Sequence, residues 1–173
     1  MENRSQSIRN VRTLTTLGVL LALEIVLSRF LSIAAWNIKI GFSFVPVVVA
    51  AMLYGPVGAA LVAGLGDLLG ALLFPIGPYF PGFTFTAVLT GLTFGFLLHK
   101  KCTLPNTLLA VGIVQFVLGL FLNSYWISVL YGSPYGPLLA TRVVQSALLS
   151  VVQVVTIRLL AELPKRFAGR LAV

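Results

Sequence analysis

Glu24, Arg29, Asp67 and Arg142 stand inside or at the edge of long apolar runs, and Lys39 lies in a short stretch between two of them. A charged side chain at bilayer depth costs about 2.5–3.5 kcal/mol even on the mildest scale. Such charges persist where they are paired or where they serve a substrate. Their types suggest a chemistry of recognition. An arginine grips a carboxylate through two parallel hydrogen bonds. A carboxylate such as Asp67 accepts two N–H donors from the amidine-like edge of a heterocycle. Tyr79, Phe80, Phe83 and Trp126 offer ring faces for stacking. Asn123 lies just before Trp126, and Gln145 follows Arg142 by one turn. Together these residues describe an apolar pocket with a few convergent polar groups that suits an anionic, ring-bearing ligand. A structural ion pair of Asp67 with Arg29 or Arg142 is the competing reading. Glu24, five residues before Arg29, reads as a partner for that arginine or as facing a polar gap. Lys39 is equally readable as a plain surface lysine.

The elements that must position these residues follow from composition. The chain has 173 residues, 58% of them hydrophobic and 9% charged, with a mean hydropathy of +1.03. Soluble domains carry about 25% charged residues, so too few polar side chains exist here to cover a water-facing surface. The length allows a single domain over 1–173, with tails at 1–12 and 164–173. The net charge of +8 would suggest nucleic acid in a soluble protein, but there is no interleaved aromatic and basic patch of the kind that reading needs. One cysteine, Cys102, precludes an internal disulfide, and no metal-ligand spacing exists. The basic and then apolar N-terminus is too long, and too charged at Glu24 and Arg29, for a signal peptide.

Apolar runs long enough to span, punctuated by Gly and Pro, predict an all-α integral membrane protein of six helices. They fall at Thr13 to Ile33, Phe44 to Tyr54, Val57 to Leu73, Phe83 to Leu98, Pro105 to Leu130, and Leu138 to Leu163. Of the 12 Lys and Arg residues, Arg29, Lys39 and Arg142 fall on one side and the rest on the other. The positive-inside rule therefore places both termini in the cytoplasm. Arg29, Asp67 and Arg142 then converge in the outer leaflet, on the same side as the loop that follows the third helix. That loop, "FPIGPYFPGF", is stiff, aromatic and uncharged. Its prolines lower the entropy of the free loop, so closing it over a ligand costs less, and it reads as lid and wall. An interfacial hairpin with no ligand is the alternative. Gly58, Ala59, Ala63, Gly64, Gly66 and Gly70 give the third helix a small face for packing inside the bundle. Gly18 and Ala22 in the first helix suit either internal packing or a partner protein.

No phosphate-binding glycine loop, nucleophile elbow or zinc-protease motif is present. Without inverted repeats or proton relays the chain makes a poor self-sufficient transporter. A small intramembrane enzyme is the reading from a different class, and it lacks a catalytic constellation.

The segment "KIGFSFVPVVVAAMLYGPVGAALVAGLGDLLGALLFPIGPYFPGFTFTAVLTGL" (Lys39 to Leu92) resembles the substrate-binding S components of energy-coupling factor (ECF) vitamin transporters, and within them the folate subtype. "GDLLGALLFPIGPYFPGFT" is its most specific part, and "LSRFLSI" and "NSYW" are similar too. The resemblance implies the six-helix S-component fold in a bacterial cytoplasmic membrane. It implies capture of folate from outside, no cofactor, and no catalysis in this chain. It further implies association with a membrane coupling subunit of the EcfT type and two cytoplasmic ATPases. An S component for riboflavin or pantothenate is the alternative. Family members carry an A-x-x-x-A type motif in the first helix for the coupling subunit, and the matching positions here are Gly18 and Ala22. For folate, Asp67 is expected to read the pterin edge. Arg29, Lys39 and Arg142 would favour the carboxylate end, with Tyr79, Phe80, Phe83 and Trp126 stacking on the rings.

Overall fold

A computed structural model describes the backbone of residues 2–35 and 38–170 and the side chains of residues 11–32 and 41–162. It is almost entirely helical. α1 covers Glu2–Arg29 and is followed by a two-stranded antiparallel ribbon, β1 (Ile33–Ala35) and β2 (Ile38–Ile40). α2 covers Phe44–Leu73, α3 Pro81–Leu98 and α4 Leu104–Gly112. A π-helical segment over Ile113–Leu122 leads into α5 (Asn123–Tyr131), and α6 covers Tyr135–Arg170. Among the described residues, five helices are long and apolar enough to cross a membrane: Val11–Arg29, Phe44–Leu73, Pro81–Leu98, Leu104–Tyr131 and Tyr135–Glu162.

The second and third expected helices thus appear as one hydrogen-bonded element, α2. The break expected at Gly55-Pro56 is nevertheless present. Gly55 adopts φ 73° and ψ −161° within the helix, a left-handed φ that favours glycine. Pro56 follows, and its fixed φ suits the first turn of a new helical arm. His99 Nδ1 lies 3.2 Å from the carbonyls of both Ala51 and Met52, so its N–H can cap the end of the first arm. Prolines open the next two helices in the same way, Pro81 for α3 and Pro105 for α4. Phe80, held extended before Pro81, shows the usual bias of a residue preceding proline. The first helix ends earlier than its apolar run suggests, because Ile33 leaves the helix to pair with Ile40 across the ribbon.

α2 and α3 form the centre of the bundle, and glycines bring their backbones together. A Cβ on Gly91 would meet the backbone of Ala59 and Ala60, and one on Gly95 would meet the backbone of Pro56. Gly64 makes room for the Val88 side chain in the same way. The small face of the third expected helix therefore does pack inside the bundle, as small residues do where no water is available to drive association. Val48, Ala50, Ala51, Phe94, Ala110 and Ile157 fill the core. Large apolar side chains such as Leu14, Leu53, Phe96, Val144 and Leu159 face outward, as a lipid-exposed surface requires.

Candidate functional site

The site lies where α1, α2, α3, α5 and α6 surround the loop between α2 and α3. α1 contributes Glu24 and Arg29, which project toward the second arm of α2. That arm carries no side chain opposite them. A Cβ on Gly66 would collide with the Glu24 carboxylate, and one on Gly70 would come within 2.8 Å of Arg29 Nε. Part of the glycine stripe therefore seats the two charges of α1.

Arg29 and Asp67 form an ion pair, Nη2 to Oδ1, at 3.6 Å, and Arg29 Nη2 also donates to the Asp67 backbone carbonyl at 3.2 Å. The Thr84 hydroxyl donates to Asp67 Oδ2 at 2.8 Å and lies 3.4 Å from the Tyr79 hydroxyl. Asp67 is thus held between α1 and α3. Arg142 is buried, and its guanidinium donates to Ser124 Oγ at 3.3 Å. Among the described residues no carboxylate lies within ion-pair distance of Arg142.

These groups line one cavity of about 690 Å³, within the usual range for small-molecule sites of about 300–1,000 Å³. Arg29, Asp67 and Arg142 share it with Tyr79, Phe80, Phe83 and Asn123. The loop supplies a continuous wall from Ile76 to Phe80. Phe80 packs edge-on to Phe83, with ring centroids 6.0 Å apart, and against Trp126 at 5.6 Å. Gly82 permits this, because a Cβ there would meet both Phe80 and Trp126 at 2.6 Å.

Two expected residues stand outside the cavity lining. Trp126 lies behind Phe80, its ring tilted against Tyr125 with centroids 5.1 Å apart, and its Nε1 donates to Thr86 Oγ1 at 3.1 Å. It supports the wall without forming it. Gln145 does not line the cavity either. Three residues along a helix turn a side chain by about 300°, which displaces it by about 60° from Arg142. Lys39 lies opposite Ala34 in the ribbon, and its side chain is outside the described residues.

Glu24, one of the intramembrane charges, lines the cavity too. The cavity also takes in residues that charge and depth alone do not single out: Thr86, Thr90, Phe44, Tyr131 and Gln153. Gln153 was legible in principle: it follows Arg142 by eleven residues, about three full turns, and shares its helix face. Arg29 Nε, Asn123 Oδ1 and Gln153 Oε1 are buried without a hydrogen-bond partner. Buried polar atoms are rarely left so, and each costs about 1–3 kcal/mol. Three such atoms around one cavity point to a ligand that supplies the missing partners.

Comparison with known proteins adds to this geometry. Residues 12–165 match the family model described as ECF transporter, substrate-specific component. The folate transporter FolT of Clostridium novyi (strain NT) is 37% identical over 150 residues, covering 86% of this chain and 87% of that protein. The folate transporter FolT of Leuconostoc mesenteroides is 30% identical over 152 residues, covering 84% and 82%. A crystal structure of FolT bound with folic acid superposes with a TM-score of 0.82 at 32% identity, over 86% of this chain and 92% of that one. The S component of a bacterial ECF transporter, at 24% identity and a TM-score of 0.69, shares the fold over 94% of this chain and 98% of that one.

Proposed function

The chain belongs to the family of substrate-specific components of ECF transporters, and on that premise we propose that it is the subunit that captures folate for uptake. The family is one of multi-pass membrane transport components rather than enzymes. One observation carries the choice of ligand: Arg29, Asp67 and Arg142, from three different helices, line a single cavity walled by Tyr79, Phe80 and Phe83. Folate combines a flat pterin, an aminobenzoyl ring and a glutamate with two carboxylates. Asp67 accepts from the pterin edge while Thr84 and Arg29 hold it in place. Arg142, with no carboxylate of its own among the described residues, takes a glutamate carboxylate, and Arg29 and Lys39 reinforce the positive field. Phe80, backed by Trp126, stacks with Tyr79 and Phe83 on the rings. Asn123 completes the lining, and Gln145 orders α6 beside it.

In this reading α2 turns back at Gly55, so the chain crosses the membrane six times and both termini are cytoplasmic. The contacts along α1 support this. Gly58 lies against Leu17, Gly66 against Glu24 and Gly70 against Arg29, so the second arm ascends beside α1 in the same direction. Gly41 sits against Ser32 beyond the far end of α1, so the first arm descends. The basic residues of the termini and of the loop at Lys100 and Lys101 fall on the cytoplasmic side. Energy comes from partners, a coupling subunit of the EcfT type and two ATPases. Gly18 and Ala22 meet the coupling subunit, and both are exposed on α1.

The test is calorimetric titration of the purified protein with folate, with riboflavin and pantothenate as controls and Asp67→Asn alongside. We expect one-to-one binding of folate alone, weakened in the variant. Preference for riboflavin or pantothenate would refute the choice of vitamin, and unaltered binding by Asp67→Asn would refute the role of that carboxylate.

A further inference from the structure

Outside the cavity, positive charge gathers where α3 gives way to α4. The spans Pro81–Leu98 and Leu104–Tyr131 leave residues 99–103 at one membrane surface, and Lys100 and Lys101 are exposed there. Arg158 reaches the same place from α6, one turn before that span ends at Glu162. Its Nη1 donates to the Cys102 carbonyl at 3.1 Å, so its guanidinium lies beside the backbone that follows Lys101 and keeps most of its donors open. Among the described residues no carboxylate lies within ion-pair distance of Lys100, Lys101 or Arg158. Glu162, the acidic group of α6 nearest in sequence, is exposed one turn beyond Arg158.

The loop that presents the lysines is braced on every side. His99 caps the first arm of α2. Asn106 Nδ2 donates to the Leu97 carbonyl at 3.1 Å and to the Lys101 carbonyl at 2.9 Å. With Arg158, these bonds fasten the loop to α2, α3, α4 and α6, and a base fixed in advance lowers the ordering cost of binding. Apolar strips lead away from it into the bilayer. Leu104 and Leu108 of α4 are exposed, as are Val155 and Leu159 of α6. Each pair is four residues apart and so shares one face of its helix.

We propose that this corner of the bundle binds an anionic phospholipid, with the phosphate at Lys100, Lys101 and Arg158 and the acyl chains along the two strips. The lysines supply point charges and the arginine a fork of donors, both suited to phosphate oxygens. A zwitterionic lipid brings its own cation to the same cluster and loses most of the attraction. A soluble acidic protein could meet the charges but would leave the apolar strips beside it uncovered. A phospholipid satisfies both with one molecule.

The test follows thermal melting of the full chain in detergent as phosphatidylglycerol, phosphatidylcholine or inorganic phosphate is added. We expect the melting temperature to rise with phosphatidylglycerol and not with the other two, and the rise to fade as salt is added. Lys100→Gln combined with Lys101→Gln should move the phosphatidylglycerol midpoint about 25-fold to higher concentration, about fivefold per lysine, without changing the melting temperature measured before lipid is added. Arg12→Gln removes an exposed cation of α1 and should leave the midpoint in place. Equal stabilisation by phosphatidylcholine would overturn the recognition of charge, and equal stabilisation by inorganic phosphate would replace the lipid with a free anion. An unmoved midpoint in the double variant would overturn the placement. An equal shift in Arg12→Gln would overturn it too, by showing a diffuse field instead of a site. No response to phosphatidylglycerol would overturn the inference and leave the surface to a protein partner. Should the double variant not fold, Lys101→Gln alone is read in the same way, with a shift of about fivefold. None of these readouts involves folate, so the outcome stands apart from the reading of the cavity.

Discussion

Replacing Arg142 by methionine should make the empty protein more stable and the ligand-bound protein much harder to form. Arg142 is buried with Ser124 Oγ as its hydrogen-bond partner, and the cation has no carboxylate beside it among the described residues. A buried ion without a counter-ion retains a desolvation penalty of several kcal/mol after relaxation. Methionine fills a similar volume without that penalty. If about 1 kcal/mol of it is recovered, the ligand-free melting temperature rises by about 2–4 °C for a chain of this size. The bound state moves the other way. Deleting one member of a buried charge pair costs about 2–4 kcal/mol, so the folate dissociation constant should rise about 30- to 700-fold at 1.4 kcal/mol per decade. Thermal melting with and without folate reads the first quantity, and calorimetric titration the second. A fall in both stability and affinity would mean that Arg142 is a structural residue. Unchanged affinity would mean that its guanidinium does not meet the ligand. Either result refutes the argument from its missing counter-ion.

Other substitutions separate packing from recognition. Gly95→Ala should lower the melting temperature strongly, because the new Cβ meets the backbone of Pro56 and α2 and α3 must part, at a cost of about 1–3 kcal/mol or more. His99→Ala removes the cap on Ala51 and Met52 and should cost about 1 kcal/mol of stability. Folate affinity should be unchanged, since His99 does not line the cavity. Thr84→Val keeps the shape and removes the donor to Asp67 Oδ2. Titration should show folate bound about fivefold more weakly, equivalent to about 1 kcal/mol, with little change in melting temperature.

What the sequence revealed, it revealed through expense. In a chain this apolar each intramembrane charge needs a reason, and that logic points to Arg29, Asp67 and Arg142 from sequence alone. Prolines worked in the same way: Pro56 and Pro105 mark the start of a helical arm because proline fits there, whereas α3 opens at Pro81, two residues before the expected Phe83. Residues that act by being small or neutral escaped. Gly66 and Gly70 read as packing glycines, although they also seat Glu24 and Arg29, because a missing side chain does not say what fills its place. Glu24 reads from the sequence as a partner for Arg29 or as facing a polar gap, and it lines the cavity. Trp126 was expected to face the ligand, since aromatic type says nothing about which side of a wall a ring occupies. Gln153 lines the cavity and Gln145 does not, because a shared helix face outweighs nearness in sequence. The ribbon at Ile33 to Ile40 and the π segment at Ile113 to Leu122 have no signature that distinguishes them from apolar helix.

α1 bears on two surfaces at once. Glu24 and Arg29 enter the cavity, while Gly18 and Ala22 face away from the bundle, and only about 9 Å of helix separates Gly18 from Glu24 at 1.5 Å per residue. A helix cannot shift or turn at one of these positions and stay still at the other. Any neighbour that seats on the Gly18 face and favours one setting of α1 therefore changes how tightly the cavity holds its occupant. Thermodynamic reciprocity then requires the occupant to change the grip of that neighbour by the same factor. Loading and docking are linked through a single rigid rod, and the sign of that linkage can be measured from either side.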